Sequence, residues 1–302
     1  MTAREPTIIV ATDGSPAAAR AVALTASLRW PPGTSIHVIR ADEPVAVDLD
    51  LPRAAYEALH ADIRAETEKH LMVVSRQLAG SGRRVETVAV SGRPASAIVT
   101  LAEHTHADLV IVGSRGRGPI ASMLLGSVAA EVVDHAPCPV LVARTERVER
   151  FLVADDGMLD TSGATRMVTT WPPFQGLDAR VVSVVPSGDE EVRVGAPQHA
   201  AASEAYARSI DEQRSTHQFV AHGTAVRLSD AGVPARSEVR SGDVAEQIIT
   251  AAIESEADLI VMGSHGRTGL GRVLLRSVAR NVLHHAPCSV LIVRAAVASG
   301  VA

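Results

Sequence analysis

A glycine-rich segment near the middle of the chain reads Gly113-Ser-Arg-Gly-Arg-Gly-Pro-Ile-Ala-Ser-Met-Leu-Leu-Gly-Ser127. It follows an apolar run, Asp108-Leu-Val-Ile-Val112, which is typical of a buried parallel strand. It precedes Val128-Ala-Ala-Glu-Val-Val133, which is typical of a helix. The segment therefore predicts a loop from the carboxyl end of a strand to the amino end of a helix, where unpaired amides and the helix dipole favour phosphate.

The glycines of this segment have the spacing G-x2-G-x9-G-Ser. At Gly113, Gly116 and Gly126 we expect the absent side chains to permit close backbone approach and positive φ. Arg115 and Arg117 are expected to add charge-assisted hydrogen bonds to phosphate oxygens. A plain tight turn has the same composition, and the Walker pattern G-x4-G-K-[ST] is absent, so the fold around the segment has to decide between turn and binding loop.

The composition is that of a globular protein without a strongly charged surface. The chain has 302 residues, 46% of them hydrophobic, which predicts roughly two domains. Aromatic residues make up only 2% and the net charge is −5, so we expect neither a nucleic-acid partner nor a membrane partner. The apolar runs are short and no signal-peptide pattern opens the sequence, which predicts a cytoplasmic protein.

The chain is an internal duplication. Asp108-Leu-Val-Ile-Val-Gly-Ser114 recurs as Asp258-Leu-Ile-Val-Met-Gly-Ser264, and His135-Ala-Pro-Cys-Pro-Val-Leu141 recurs as His285-Ala-Pro-Cys-Ser-Val-Leu291. Shorter matches join Asp13-Gly14 to Asp156-Gly157 and Trp30-Pro-Pro32 to Trp171-Pro-Pro173. We predict two domains, residues 1–145 and 149–296, with extra residues of the second repeat between Pro186 and Ala235.

Strand and helix patterns alternate through the first repeat. The predicted strands are 7–11, 35–41, 85–90, 108–112 and 139–143, and the predicted helices are 17–28, 54–78, 94–105 and 128–134. Ser15 and Pro16 form an N-cap and first-position pair for the first helix. The fold class is therefore α/β: two tandem Rossmann-like, flavodoxin-like domains, each with a five-stranded parallel sheet of order 3-2-1-4-5 and helices on both faces.

In that strand order the first and fourth strands are neighbours at the switch point, where ligands of such sheets bind. Asp13 can then accept hydrogen bonds from a ribose or a base, and Ala41 offers main-chain groups to a base edge. Ser127 and the amide of Val128 can hold a terminal phosphate. Simpler roles stay open, because Asp13 can merely cap the Asp-Gly turn and Ser127 can merely be an N-cap.

Three motifs together resemble the universal stress protein family: Asp13-Gly-Ser-Pro16, the glycine pattern of residues 113–127, and His135-Ala-Pro-Cys-Pro-Val140. The resemblance extends over nearly the whole chain as two tandem domains. It implies ATP, with Mg²⁺ as an accompanying ion, bound through the glycine segment. It also implies pairing through the fifth strands, in a homodimer or between the two domains, and regulation under stress through a protein partner.

The candidate nucleotide-binding residues occupy matching positions in the two repeats. In the first repeat they are Ala11, Thr12, Asp13, Ala41, Gly113, Ser114, Arg115, Gly116, Arg117, Gly118, Gly126, Ser127 and Val128. In the second they are Ala154, Asp156, Val184, Gly263, His265, Gly266, Arg267, Ser277 and Val278. We assign no catalytic and no metal-ligating residue. Cys138 and Cys288, which match each other, are expected to be buried small hydrophobic residues.

The second repeat departs from the pattern where Arg276 replaces the third glycine. If Gly126 adopts positive φ, an arginine at that position costs about 1–2 kcal/mol. Two further roles stay open for the Arg276 side chain, which can fill the phosphate pocket or form a salt bridge to phosphate. We therefore predict that the second site binds ATP more weakly than the first. The leading hypothesis for the chain is an ATP-binding regulator; the alternatives are a weak ATPase or autokinase and a nucleotide-free dimerising scaffold.

Overall fold

The computed structural model describes residues 5–43, 53–80, 82–116, 125–157, 159–186, 200–264 and 277–294. The chain divides into two compact units, Met1–Val148 and Glu149–Ala302. Within the described residues, each unit contains a five-stranded parallel sheet and four α-helices, which confirms the predicted α/β class.

In the N-terminal unit the sheet order is β3-β2-β1-β4-β5. Its strands are β1 (Thr7–Ala11), β2 (Ser35–Asp42), β3 (Arg84–Ser91), β4 (Leu109–Gly113) and β5 (Val140–Ala143). Its helices are α1 (Pro16–Ser27), α2 (Arg53–Leu78), α3 (Pro94–His104) and α4 (Ser127–His135). Helix α1 packs beside α2, and α3 packs beside α4, so the helices form a pair on each face as right-handed crossovers require.

The C-terminal unit repeats this plan with the order β8-β7-β6-β9-β10. Its strands are β6 (Arg150–Ala154), β7 (Asp178–Pro186), β8 (Ala235–Gly242), β9 (Leu259–Gly263) and β10 (Ser289–Val293). Its helices are α5 (Leu159–Thr170), α6 (Ala200–Asp230), α7 (Val244–Glu254) and α8 (Ser277–His285). Helix α6 has 31 residues against 26 in α2, which agrees with inserted residues before Ala235.

The core is aliphatic, as the low aromatic content requires. The central strands β1 and β4 are buried, with Ile8, Ile9, Val10 and Val110 fully excluded from solvent. Cys138 and Cys288 are both buried, which confirms their expected role as small core residues. None of the described helices contains an apolar window long enough to cross a bilayer.

The beginning and end of α1 follow from local sequence. Ser15 Oγ accepts a hydrogen bond from the amide of Ala18 and caps the helix, and Pro16 fills its first position, as predicted. Beyond its last turn, Trp30 Nε1 donates to the carbonyl of Thr25, at 2.7 Å, and the ring is only 8% exposed. These bonds fix both ends of the helix on the sheet.

The edge strand β8 carries a charged network instead of an apolar face. Glu238 pairs with Arg180, at 2.9 Å, and with Arg240, which also pairs with Glu254 on α7. The hydrogen bond from Arg240 lowers the pKa of the Glu254 carboxyl, and the same bond raises the pKa of Arg240. Charges of this kind protect a sheet edge from pairing with other chains.

The first turn of α1 lies directly against the end of β4. A Cβ at Gly113 would stand 2.6 Å from the carbonyl carbon of Ala17 and 2.8 Å from the amide nitrogen of Ala18. Both are backbone atoms, so the helix itself would have to move to admit a side chain. The φ of Gly113 lies outside the left-handed region, so the position does not need glycine for its backbone conformation. It needs glycine because the packing leaves no space for a Cβ.

We expect Gly113→Ala to lower the free energy of unfolding by about 1–3 kcal/mol, because an added methyl would force the two elements apart. Gly80→Ala is the matched control: a Cβ at Gly80 meets only the flexible Arg83 side chain, at 3.5 Å. We expect this control to stay within about 0.5 kcal/mol of the wild type. Urea unfolding followed by circular dichroism measures both, and equal stabilities of the two variants would contradict this account.

Candidate functional site

The turns that follow β1 and β4 meet at the carboxyl edge of the N-terminal sheet. Ser15 Oγ donates to the carbonyl of Arg115 at 3.4 Å. A Cβ on Gly116 would stand 3.0 Å from Asp13 Oδ2. Segments about a hundred residues apart in the chain therefore form one side of a common site, as the switch-point position of β1 and β4 predicts.

A cleft of about 1010 Å³ opens where these turns meet. Its lining comes from the ends of β1, β2 and β4 and from the first turns of α1, α3 and α4. Ten of the candidate residues line it: Ala11, Thr12, Asp13, Ala41, Gly113, Arg115, Gly116, Gly126, Ser127 and Val128. The structure therefore brings most of the candidate residues of the first repeat together around one cleft.

Ser114 does not line this cleft, although it stands among the candidates. Ser114 is only 2% exposed, and its carbonyl accepts a hydrogen bond from the amide of Gly126 at 2.7 Å. It therefore holds the two ends of the glycine segment together beneath the cleft. Two further candidates, Arg117 and Gly118, lie outside the described residues.

Gly126 does not have the positive φ that we expected of it. Its φ is −76° and its ψ is 155°, an extended conformation open to any residue. The constraint is space, since a Cβ there would stand 3.2 Å from Arg115 Cα and 3.6 Å from the amide nitrogen of Gly116. The premise of the conformational cost predicted for Arg276, a positive φ at Gly126, is therefore wrong, and what limits a side chain at Gly126 is space. Arg276 itself lies outside the described residues.

Gly126 is also the N-cap of α4, so the suggestion that Ser127 is the cap was wrong. Ser127 is the first helical residue, and no side chain caps this helix. Ser127, Val128 and Ala129 all line the cleft. First-turn amides have no partner within their own helix, so this turn offers donors and the positive end of the helix dipole to an anion.

Asp13 closes its own turn and also faces the cleft. Its Oδ1 accepts a hydrogen bond from the amide of Ser15 at 2.9 Å, which is the capping role left open above. Its neighbour Thr12 is 5% exposed, and Thr12 Oγ1 lies 2.9 Å from His70 Nε2 on α2. These bonds fix the β1 turn in place while the second oxygen of Asp13 points toward Gly116.

Strand β2 continues past the end of β1 and supplies the far wall of the cleft. Ile39 is paired with Ala11, the last residue of β1, and the strand runs on to Asp42. Asp42 accepts a hydrogen bond from Arg40 Nε at 3.0 Å and another from Thr67 Oγ1. Ala41 therefore lies at the cleft in a strand end that charge pairing keeps in place.

The C-terminal unit keeps the scaffold of the site. Gly157 has the same φ as Gly14, 78°, so the turns after β6 and β1 have matching conformations. Of its candidate residues, Ala154, Val184 and Gly263 are buried, Asp156 and Val278 are partly exposed, and Ser277 is exposed. The other three, His265, Gly266 and Arg267, lie outside the described residues.

The chemistry at the end of β6 differs from that at the end of β1. Asp155 occupies the position that Thr12 has in the first unit. The amide of Thr12 donates to the carbonyl of Ile39 on β2, at 2.9 Å, and the amide of Asp155 donates to the carbonyl of Val182 on β7, also at 2.9 Å. The Asp155 carboxylate is buried and accepts hydrogen bonds from Gly157 N and from Thr224 Oγ1.

Two further polar groups extend this cluster. Arg227 donates a hydrogen bond to Thr224 Oγ1. Ser183 Oγ donates to the Asp155 carbonyl. The same hydroxyl lies 2.8 Å from His217 Nδ1. The second unit thus contains a buried carboxylate with its own donors, where the first has a threonine hydroxyl. No motif pointed to this cluster, because Asp155 lies beside the Asp-Gly pair that matches the first repeat.

Sequence reasoning also missed several residues of the cleft. The cleft is also lined by Arg20 of α1, by Asp42 at the end of β2 and Glu43 after it, and by Pro94 and Ile98 of α3. These residues match no nucleotide-binding motif in the sequence. They meet at the cleft because of the order in which the strands and helices are arranged. Within the described part of the chain, no three His, Cys, Asp or Glu side chains are arranged to hold a metal ion.

The fold and the cleft define a class of tandem α/β proteins with a cleft at the switch point of a parallel sheet. A model of the universal stress protein family matches residues 6–144 and again residues 148–294, and the chain belongs to this family. The family resemblance inferred from the three motifs is therefore confirmed.

Known relatives agree with this assignment. A universal stress protein of Mycobacterium tuberculosis is 28% identical over 299 residues, covering 95% of this chain and 96% of the relative. A universal stress protein of Thermus aquaticus is 38% identical over 138 residues, covering 46% of this chain and 98% of the relative. The first relative matches both repeats together, and the second matches a stretch of about one repeat.

The fold has close counterparts among solved structures. The crystal structure of a universal stress protein from Archaeoglobus fulgidus matches with a TM-score of 0.66 at 19% identity, covering 95% of this chain and 98% of that one. A structure described as a putative universal stress protein from Pseudomonas aeruginosa matches with a TM-score of 0.58 at 18% identity, over 97% and 94%. At these identities the likeness shows the shared fold.

We expect Thr224→Val to lower the free energy of unfolding by about 1–3 kcal/mol, because the buried Asp155 carboxylate loses a donor. Thr216→Val is the matched control on the same helix, since Thr216 is exposed and its hydroxyl bonds only the Glu212 carbonyl, at 2.9 Å. The control should change stability by less than about 0.5 kcal/mol. Equal losses in the two variants, measured by urea unfolding, would show that Asp155 does not depend on Thr224.

Proposed function

We propose that the N-terminal unit binds ATP in the cleft between the β1 and β4 turns, and that binding makes the chain a nucleotide-dependent regulator of a stress response. The observation that carries the proposal is the meeting of these turns with the first turn of α4 around one cleft. Its volume, about 1010 Å³, is at the upper end of the range of ligand pockets, which reaches roughly 1,000 Å³.

The charges of the cleft are separated in a way that suits an adenosine polyphosphate. Asp42 and Glu43 stand at the β2 end, and Asp13 lies between the two ends, facing Gly116; a ribose or base offers hydrogen-bond donors to these carboxylates. The β4 end carries Arg115 and the uncapped first turn of α4. An anion is attracted to the second end and repelled from the first, which gives the ligand one favourable orientation.

Binding is favoured over hydrolysis by the positions of these carboxylates. Asp13 already accepts a bond from Ser15 N, and Asp42 accepts bonds from Arg40 and Thr67. Among the described lining residues, none at the α4 end is an acid or a histidine. The phosphates would therefore lack a general base there, and Mg²⁺ would arrive with the nucleotide as its counterion.

The C-terminal unit is proposed to bind ATP more weakly. The buried Asp155 carboxylate replaces the Thr12 hydroxyl at the end of the first strand, and it adds negative charge where an anion would approach. Arg276 replaces Gly126, a position with little room for a Cβ in the first unit. Both differences act against a polyphosphate in this unit.

A regulator also needs a means to pass on its nucleotide state. We propose that ATP, by binding at the glycine segment of the N-terminal unit, alters the surface that a protein partner in the cytoplasm recognises. Pairing through the fifth strands, in a homodimer or within the chain, stays a prediction. Light scattering on the purified protein distinguishes a dimer from a single chain.

For the full chain we expect isothermal titration calorimetry with Mg²⁺ and ATP to give close to one site per chain. Gly126→Arg, which copies the second repeat, should weaken ATP binding by at least about tenfold, or about 1.4 kcal/mol. Gly80→Arg adds the same charge to the same unit at an exposed position away from the cleft, and it should bind as the wild type does.

Two equivalent sites per chain would overturn the asymmetry between the units. Failure of the wild type to bind ATP would leave the nucleotide-free scaffold as the better hypothesis. Phosphate release above the buffer background, abolished in Gly126→Arg but not in Gly80→Arg, would favour the weak ATPase instead.

A further inference from the structure

Arg20 is a cationic residue of the cleft that lies outside the glycine segment. It belongs to α1, one turn beyond the residues that touch Gly113, and it lines the cleft together with Pro16 and Ala17. Its Nε atom is buried and has no hydrogen-bond acceptor within the part of the chain that the structure describes. A buried donor on a charged group is costly to leave unsatisfied, so the position favours an external acceptor.

The surroundings of Arg20 indicate what kind of acceptor fits. Helix α1 packs over β4 and β5, and Arg20 lines the cleft together with Arg115 of the glycine segment. The carboxylates of Asp42 and Glu43 lie at the end of β2, beyond β1, while Asp13 faces Gly116. An anion on the β4 side of the cleft would therefore be attracted by two guanidinium groups and would lie away from the Asp42 and Glu43 carboxylates.

We propose that Arg20 binds the phosphate groups of the nucleotide and makes the N-terminal cleft prefer polyphosphates over the nucleoside. The guanidinium presents several N–H donors in a planar fork that matches phosphate oxygens. This inference rests on the proposed nucleotide function, and it adds to that function a residue that reads the charged part of the ligand.

The C-terminal unit provides an internal comparison. The buried positions of α5, at Ala164, Thr165, Met167 and Val168, match those of α1 at Ala21, Val22, Leu24 and Thr25. The same alignment places Gly163 where α1 has Arg20. The second unit therefore lacks this cation on its first helix, which adds an independent reason for a difference in anion binding between the units.

The test compares ligands that carry the nucleoside, the phosphate chain, or both. Binding of ATP, ADP, adenosine and inorganic tripolyphosphate to the full chain is measured by calorimetry for the wild type, Arg20→Gln, Arg20→Lys and Arg29→Gln. Arg29 is exposed and lies outside the cleft, so Arg29→Gln removes the same charge from the same unit. Urea unfolding of each variant reports whether its fold is intact.

We expect Arg20→Gln to weaken ATP binding by roughly 10- to 100-fold, the equivalent of one lost charge-assisted hydrogen bond. Adenosine has no phosphate group for Arg20 to contact, so its binding should stay within about twofold of the wild type. Arg20→Lys should fall between, because it keeps the charge without the planar fork. Arg29→Gln should bind all ligands as the wild type does.

Equal losses for ATP and adenosine in Arg20→Gln would overturn the proposal, since the residue would then only shape the cleft. Unchanged ATP binding in that variant would overturn it too, while leaving the proposed nucleotide function standing. A wild type that binds tripolyphosphate through Arg20 but does not bind ATP would support the anion site and overturn the nucleotide function. A wild type that binds neither would overturn both.

Discussion

The contact between the first turn of α1 and the end of β4 is the constraint on which the cleft depends. It is so close that Gly113 has no room for a side chain, and the Ala-rich start of α1 supplies the matching small surface. This contact holds the β1 turn beside the glycine segment, where Ser15 reaches Arg115 and Asp13 faces Gly116. The chemical character of the cleft then follows from residues on elements that have no other reason to meet.

Much of the fold could be predicted from local patterns. The ends of α1, β2 and β4 fall within about a residue of the expected positions, because proline, serine caps and glycine mark them clearly. The role of Gly126 could not be predicted, since a glycine in a sequence does not reveal whether it provides conformational freedom or space. Only the distance from its position to Arg115 distinguishes the two.

The polar residues that the sequence did not reveal share one property: each is placed by parts of the fold that are distant in the chain. Arg20 looks like a solvent-facing residue of an amphipathic helix until the topology places it at the cleft. Asp155 follows β6 and Thr224 lies on α6, and their pairing gives the second unit a buried carboxylate where the first has the Thr12 hydroxyl. The two units keep the same order of strands and helices. They differ in the side chains at the ends of the strands and in the helix residues that contact them.

The chain contains two tryptophans, and the duplication has left one in each unit, Trp30 and Trp171, each followed by a pair of prolines. Trp30 is nearly excluded from solvent beside the end of α1, so its emission is expected to shift when that unit opens. Replacing either indole by phenylalanine leaves a single intrinsic fluorophore. The protein therefore has a built-in optical reporter for each half, with no added label.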